Sequence, residues 1–309
     1  MAKPNVGILL SQLREEEKLL LRAFASHGID PIRLTDRKLQ LELTDLSWLH
    51  ELELDVVLDR CLAHGRAGIV LQALDVAGIR SVNSRKAAVV ADDKVECSLI
   101  LGANGIPTLR TFMAFTVESA LEALDQLGYP AVLKPVAGSW GRLLGKVNSP
   151  GAARALLEHK RQLGSYHHSM FYIQEYVEKP GRDLRIFIVG DDIVAGSYRS
   201  AEHWVTNVAR GAVSAPCPIT PEIAEISMRA AKAIGVEIAG VDLVETSDGL
   251  KVIEVNGGAE FKGLMSTTEC DIAQHIVDYV ISSSSKSKAG SLNGSHPVSA
   301  HSQSVSGNS

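Results

Sequence analysis

Apolar positions along the chain alternate between two rhythms. Short runs such as NVGILL (5–10), PIRLTD (31–36), DVVLDR (55–60) and IRSVN (79–83) are the length of strands. Between them lie segments with apolar residues three and four apart, REEEKLLLRAFASHG (14–28) and a helical stretch over 66–77, the first ending at Gly28. Strand, helix, strand repeated in this way predicts a small doubly wound α/β unit over residues 1–88.

A second unit, 89–177, reads as a helix at 91–103, a strand TLRTFMAF, a helix VESALEALDQLG and a strand PAVLKPV. A glycine-rich loop, GKVNS, a helix at 150–163 and FYIQEYV follow. The third unit, 178–282, opens on a hairpin, RDLRIFIVGDDIVAGSYRS, turning at Gly190-Asp191-Asp192. It continues with a helix at 221–234, strands at 236–246 and 250–256, and a helix near 269–282. From Ser282 the chain turns to Ser, Gly, Lys, His and Asn. Such a segment buries too little to offset its ordering entropy, so 283–309 is expected to be a disordered tail.

Composition narrows the function classes. With 45% apolar and 22% charged residues, the chain reads as an ordinary globular protein, and its formal charge of -5 argues against a nucleic-acid partner. The four cysteines, Cys61, Cys97, Cys217 and Cys270, lack C-x-x-C spacing and read as reduced thiols of a cytoplasmic protein. The N-terminal apolar run is too short for a signal segment or a membrane span, so no membrane partner is expected.

The chemistry concentrates in VIEVNGGAEFKG (252–263). Side chains two apart on a strand share a face, so Glu254 and Asn256 point one way while Ile253 and Val255 are expected in the core. If the preceding strand IAGVDLVE pairs with it around Ser247-Asp248-Gly249, Asp242 lies beside Glu254. Two carboxylates and an amide suit Mg²⁺, which prefers oxygen ligands completed by substrate phosphates. The alternative is a polar face of an edge strand turned to water.

Lys134 stands alone among apolar residues in YPAVLKPV, a costly position unless an anion meets it. Beyond it, Gly138, Ser139, Trp140, Gly141 and Arg142 form either a phosphate-cradling loop or an ordinary flexible turn. They are not a Walker loop, because Val147 stands where Ser or Thr is required. Lys94, at a predicted helix start, is either an anion ligand or a solvated lysine. Gln174, Glu175, Tyr176 and Val177 end a strand and offer backbone groups to a base, with Glu178 or Asp183 available to a ribose. Arg185, Arg199 and Arg210 are, taken singly, either surface charges or residues suited to fixed phosphate or carboxylate recognition. The histidines His159, His167, His168 and His203 lack metal-ligand spacing, and Ser139 and Ser200 have no triad partners.

The order Lys94, Lys134, glycine-rich loop, QEYV, Arg199, Asp242 and EVN resembles the ATP-grasp fold. The segments LKPVAGSWGRLL, FYIQEYVEKPGRDLRIFIVG, HWVTNVARG and EVNGGAEFKG are similar to those of the RimK-related LysX/ArgX ligases, over residues 4–281. The resemblance implies an N-terminal pre-ATP-grasp domain and two α+β subdomains clasping ATP. It implies Lys94 and Lys134 on the phosphates, with the 138–144 loop closing over them. The 174–177 hinge would take adenine, with Asp183 and Arg185 nearby. Asp242, Glu254 and Asn256 would hold Mg²⁺, two ions in all, with Arg199 and Arg210 near the transferred phosphoryl group. Asn207, Gly257, Gly258, Glu260, Lys262 and Gly263 would line the substrate side.

In such enzymes the C-terminal glutamate side chain of a small acidic carrier protein, LysW, is phosphorylated and then attacked by the α-amine of an amino acid. Gly263-Leu264 lies on the glutamate-using side of the family, and Asn256-Gly257-Gly258 lacks the NHT of the 2-aminoadipate type. Glutamate is therefore the expected substrate and 2-aminoadipate the next. The resemblance also implies a homo-oligomer, a tetramer. Two other readings are a RimK-like glutamate ligase acting on another protein or peptide, and a nucleotide-binding scaffold without turnover.

Overall fold

The computed structural model describes residues 3–136, 143–162, 170–206 and 211–291. Gly138, Ser139, Trp140, Gly141, Arg142, Asn207 and Arg210 lie outside the described residues.

A parallel sheet forms first, from β1 (Val6–Leu10), β2 (Ile32–Thr35), β3 (Val56–Arg60) and β4 (Arg80–Val82), in the order β2-β1-β3-β4. Helix α1 (Glu15–Ser26) follows β1. Three acids in its first turn face the positive end of its dipole, and the Glu17 carboxylate accepts the Arg14 backbone N–H at 3.0 Å. A short α2 (Ser47–Glu51) precedes β3, and α3 (His64–Val76) leads to β4.

The helix predicted over 91–103 is two helices, α4 (Arg85–Asp92) and α5 (Lys94–Ala103). Asp93 breaks them apart with an extended backbone, and its carboxylate accepts the N–H groups of Val95 and Glu96. An aspartate that caps the next helix gives up continuing the previous one.

The second sheet is antiparallel. Strands β5 (Thr111–Ala114), β6 (Ala131–Lys134), β7 (Gly145–Val147) and β8 (Phe171–Glu175) run in the order β5-β8-β6-β7. Helices α6 (Val117–Leu127) and α7 (Pro150–Gln162) cover it, burying Leu124, Leu133, Leu157, Phe171 and Ile173 in a core of its own.

The third sheet holds β9 (Arg182–Val189), β10 (Asp192–Ser200), β11 (Val213–Pro216), β12 (Ile238–Thr246) and β13 (Gly249–Asn256), ordered β11-β10-β9-β12-β13. The hairpin between β9 and β10 turns as expected at Gly190, whose φ of 63° suits glycine. Helix α8 (Pro221–Ile234) starts at a Thr220 cap followed by Pro221 and ends at Gly235 in the left-handed region.

Alternate residues of this sheet serve different cores. Ile186, Val241 and Val255 pack with α4, α5 and α8, so the helices predicted to begin the second unit are bedded on the third sheet. Phe187, Val189 and Ile238 instead join Ile8, Phe24 and Val56 of the first sheet and Ile276, Val277 and Val280 of α9 (Ile272–Ser291). The first and third units therefore share one hydrophobic core.

Helix α9 also runs past the residue 282 boundary expected from composition, reaching Ser291. Ser283 and Ser284 are buried and donate their hydroxyls to the Val280 and Ile281 carbonyls at 2.8 and 2.7 Å. Back-bonding of this kind lets serine continue a helix that packing holds in place.

Candidate active site

The site grows from the β12–β13 hairpin. Gly249, at φ 107°, completes its turn, and the register places Asp242 opposite Glu254 and Gly240 opposite Asn256. The pairing slips between Asp242 and Leu243, where β13 carries one extra residue, Ile253. That bulge rotates Ile253 out of the alternation. Val252 and Val255 are buried at 0% and 1% exposure, while Ile253 faces the cleft, contrary to its expected core position.

Asp242 is held by two guanidinium groups. Arg185 forks onto both of its oxygens, through Nε and through Nη2 at 2.8 Å, and Arg199 Nη2 lies 3.1 Å from Oδ2. Burial alone would raise the Asp242 carboxyl, but the charges of Arg185 and Arg199 outweigh it and hold the group below the usual carboxylate range. Arg199 Nε continues to Asp183 Oδ1 at 2.7 Å. The other Asp183 oxygen accepts from Thr206 and lies 3.4 Å from Lys179. Asp183, expected near a ribose, thus has one oxygen engaged by Arg199 and the other by Thr206 and Lys179, and Arg185 is committed to Asp242.

The cations meet Glu254 from the other side. Lys94 opens α5, and its Nζ is 3.8 Å from Glu254 Oε2. Because Asp93 already occupies the first N–H groups of α5, the attraction for an anion here comes from the lysine more than from the helix end. Lys134 ends β6 at the floor of the cleft. Removal from water pushes its ammonium down to about 8, with Lys94 adding to the shift and Glu254 opposing it.

Two cavities share this charged junction. The smaller, about 120 Å³, is walled by Leu109, Val132, Val244 and Ile253, with residues 174–177 and Trp204 at its rim. Tyr176 there is edge-on to Trp204 at 6.2 Å and beneath Lys146 Nζ at 3.6 Å. Gln174 donates to Thr111 Oγ1, and Glu175 accepts the Arg110 N–H at 3.0 Å and lies 3.3 Å from Lys251. Both side chains therefore brace the hinge. Glu178 is exposed outside it.

The larger cavity, about 880 Å³, brings together Gly257, Gly258, Glu260, Lys262 and Gly263 with Lys134, Arg185, Arg199, Glu254 and Asn256. Its far wall comes from the first domain, at Cys61 and His64. The loop 257–263 is clamped by that domain. Glu16 Oε1 accepts the backbone N–H groups of Phe261 and Lys262 at 2.7 and 2.6 Å, while Oε2 accepts from Arg60 at 2.5 Å. Arg60 also donates to the Ala259 carbonyl, and Arg14 reaches Glu260. Asn83 donates to the Ile238 and Gly257 carbonyls and accepts the N–H groups of Glu237 and Ile238. A Cβ at Gly257 would lie 3.3 Å from Ala91 Cβ, so any side chain here requires its neighbours to give by a few tenths of an ångström. None of Arg14, Glu16, Arg60, Asn83, Lys179 and Thr206 stood out in the sequence. The Glu15–Glu17 cluster reads locally as a helix start, and its partners lie about 245 positions away.

The donor chemistry fits a hard cation. Glu254 and Asn256 are open to the cleft, Asp242 lies beside them, and Asn256 Nδ2 is 3.4 Å from Glu254 Oε1, so the two share one face. Among the described residues no three His, Cys, Asp or Glu side chains converge as a metal group, so phosphate or water oxygens must complete such a site. Among the described residues, no helix is long and apolar enough to cross a membrane.

A parallel domain followed by two antiparallel subdomains, with lysines and carboxylates at their junction, defines an ATP-grasp architecture. The chain belongs to the RimK-like ATP-grasp family: the RimK-like ATP-grasp domain matches residues 91–280, and a LysX preATP-grasp domain matches residues 6–90. It is 34% identical over 226 residues to the alpha-aminoadipate–LysW ligase LysX of Saccharolobus solfataricus, covering 72% of this chain and 82% of that one. It is 28% identical to the glutamate–LysW ligase ArgX of Sulfurisphaera tokodaii, covering 91% and 100%. The solved RimK domain ATP-grasp protein of Sphaerobacter thermophilus superposes with a TM-score of 0.75 at 25% identity, covering 90% of this chain and 99% of that one.

Proposed function

We propose that this ATP-dependent carboxylate–amine ligase joins the α-amino group of glutamate to the C-terminal glutamate side chain of a small LysW-type carrier, in the cytoplasm, as a step of amino-acid biosynthesis. The observation that carries the reading is the junction of the two cavities, where Asp242 and Glu254 sit in register and Lys94 and Lys134 converge on them. One cavity suits a nucleotide and the other an amino acid with a carrier terminus.

In this reading the 174–177 backbone and Ile253 hold adenine, and Lys94, Lys134 and the 138–142 loop hold the phosphates. Asp242, Glu254 and Asn256 would hold two Mg²⁺ ions, which supply charge neutralisation for phosphoryl transfer. Arg199, fixed by Asp183 and Asp242, would act on the transferred phosphoryl group, and the family resemblance gives Arg210 the same role. A carboxylate is a poor electrophile until one oxygen becomes a leaving group, and the cations stabilise the charge that develops as it does so. Gly257, Gly258, Glu260, Lys262 and Gly263 would border the amino acid, and the family resemblance assigns Asn207 to the same substrate.

Glutamate is favoured because Gly263-Leu264 resembles the glutamate-using members of the family and Asn256-Gly257-Gly258 lacks the NHT of the 2-aminoadipate type. The second reading, 2-aminoadipate, draws on the 34% identity to a ligase bearing that name. Phosphate release with carrier, ATP and each amino acid separates them. Faster release with glutamate supports the proposal, faster release with 2-aminoadipate supports the second reading, and none with either overturns both.

A further inference from the structure

We infer that His64 is the general base that takes a proton from the α-ammonium group of the incoming amino acid. The inference rests on the ligation reading above. An ammonium nitrogen has no lone pair, so it must shed a proton before it can attack. The reading above gives Lys94 and Lys134 to the phosphates and Glu254 to the metal, so none of them serves as this base.

His64 opens α3 on the far wall of the large cavity, with its side chain 44% exposed. Its Nδ1 lies 2.7 Å from Asp92 Oδ2, which fixes the tautomer and leaves the lone pair on Nε2. Nε2 has no hydrogen-bond partner among the described residues. The ring stands against the substrate loop: Cε1 lies 4.0 Å from where a Cβ on Gly258 would be. The charged groups facing His64 are Asp92 on α4, Asp59 on β3 and Lys94 on α5. The hydrogen bond to Asp92 is the largest influence and, with the charge of Asp59, draws the imidazole upward, while Lys94 opposes it.

The α-ammonium transfers one proton to Nε2, giving imidazolium. The freed lone pair forms the C–N bond to the acyl phosphate carbon. The bond between that carbon and the phosphate oxygen breaks, its electron pair leaving on inorganic phosphate. The second nitrogen proton passes to that phosphate or to water.

Hydroxylamine tests this, because it is already an uncharged nucleophile at neutral pH and needs no base. With a LysW-type carrier and ATP, His64→Gln is expected to slow glutamate coupling about 100-fold, within the range of general base catalysis, while hydroxamate formation stays within about twofold of wild type. Asp92→Asn removes the charge that favours imidazolium, so the acid limb of the kcat/KM profile moves to lower pH. Equal loss of both products in His64→Gln, or an unchanged coupling rate, overturns the assignment alone. A wild-type protein that makes neither product overturns the ligase reading, and this inference with it.

Discussion

Glu16→Ala probes the clamp between the first domain and the substrate loop. Glu16 is 3% exposed, and its loss leaves the Phe261 and Lys262 N–H groups without an acceptor. Each unsatisfied buried donor costs about 1–3 kcal/mol. Arg60 loses its 2.5 Å partner but keeps the Ala259 carbonyl at 3.1 Å and Glu17 at 3.6 Å, so its charge is not orphaned. The full penalty of about 3–5 kcal/mol for breaking a buried ion pair therefore applies only at its lower end, and the net expectation is about 3 kcal/mol. At roughly 2–4 °C per kcal/mol for a protein of this size class, the thermal midpoint falls by about 6–12 °C. Glu16→Gln keeps an acceptor for both N–H groups and should recover half or more of that loss. Thermal unfolding by circular dichroism measures the stability change, and the KM for glutamate, expected to rise, reports the loop. A Glu16→Ala midpoint within about 1 °C of wild type, with unchanged KM, refutes the reasoning.

Two further outcomes follow from the charged junction. Glu254→Gln keeps the shape of the residue but removes a charge; turnover should fall about 10²–10³-fold with the thermal midpoint unchanged, and normal turnover with Mg²⁺ would remove Glu254 from the metal set. The Lys134 ammonium lies at about 8 in the free protein, and phosphates arriving beside it favour the charged form, so ATP binding near pH 8.5 takes up a proton and weakens as pH rises. Calorimetry in two buffers of different ionisation heat detects the uptake, and equal heats in both would contradict it.

Much of the site was legible in the sequence because it is local. The period of two and the Ser247-Asp248-Gly249 turn put Asp242 beside Glu254, and the register agrees. Lys134 announced itself as a charge alone in an apolar strand. What escaped depends on long-range pairing. The bulge that turns Ile253 into the cleft exists only in the register with β12. Asp183 read as a ligand contact, yet Arg199, Lys179 and Thr206 take its oxygens. Asn83 gave no local signal, although its amide ties the first domain to β12 and the Gly257 loop. The reach of α9 was hidden by serines whose composition suggests disorder but whose packing decides otherwise.

The ligation is read from the intact mass of a purified LysW-type carrier after incubation with this protein, ATP, Mg²⁺ and either glutamate or 2-aminoadipate. The carrier is expected to gain one amino-acid residue, faster with glutamate than with 2-aminoadipate, and a carrier lacking its C-terminal glutamate to gain nothing. No mass gain with either amino acid, or a gain that persists on the truncated carrier, would contradict that expectation.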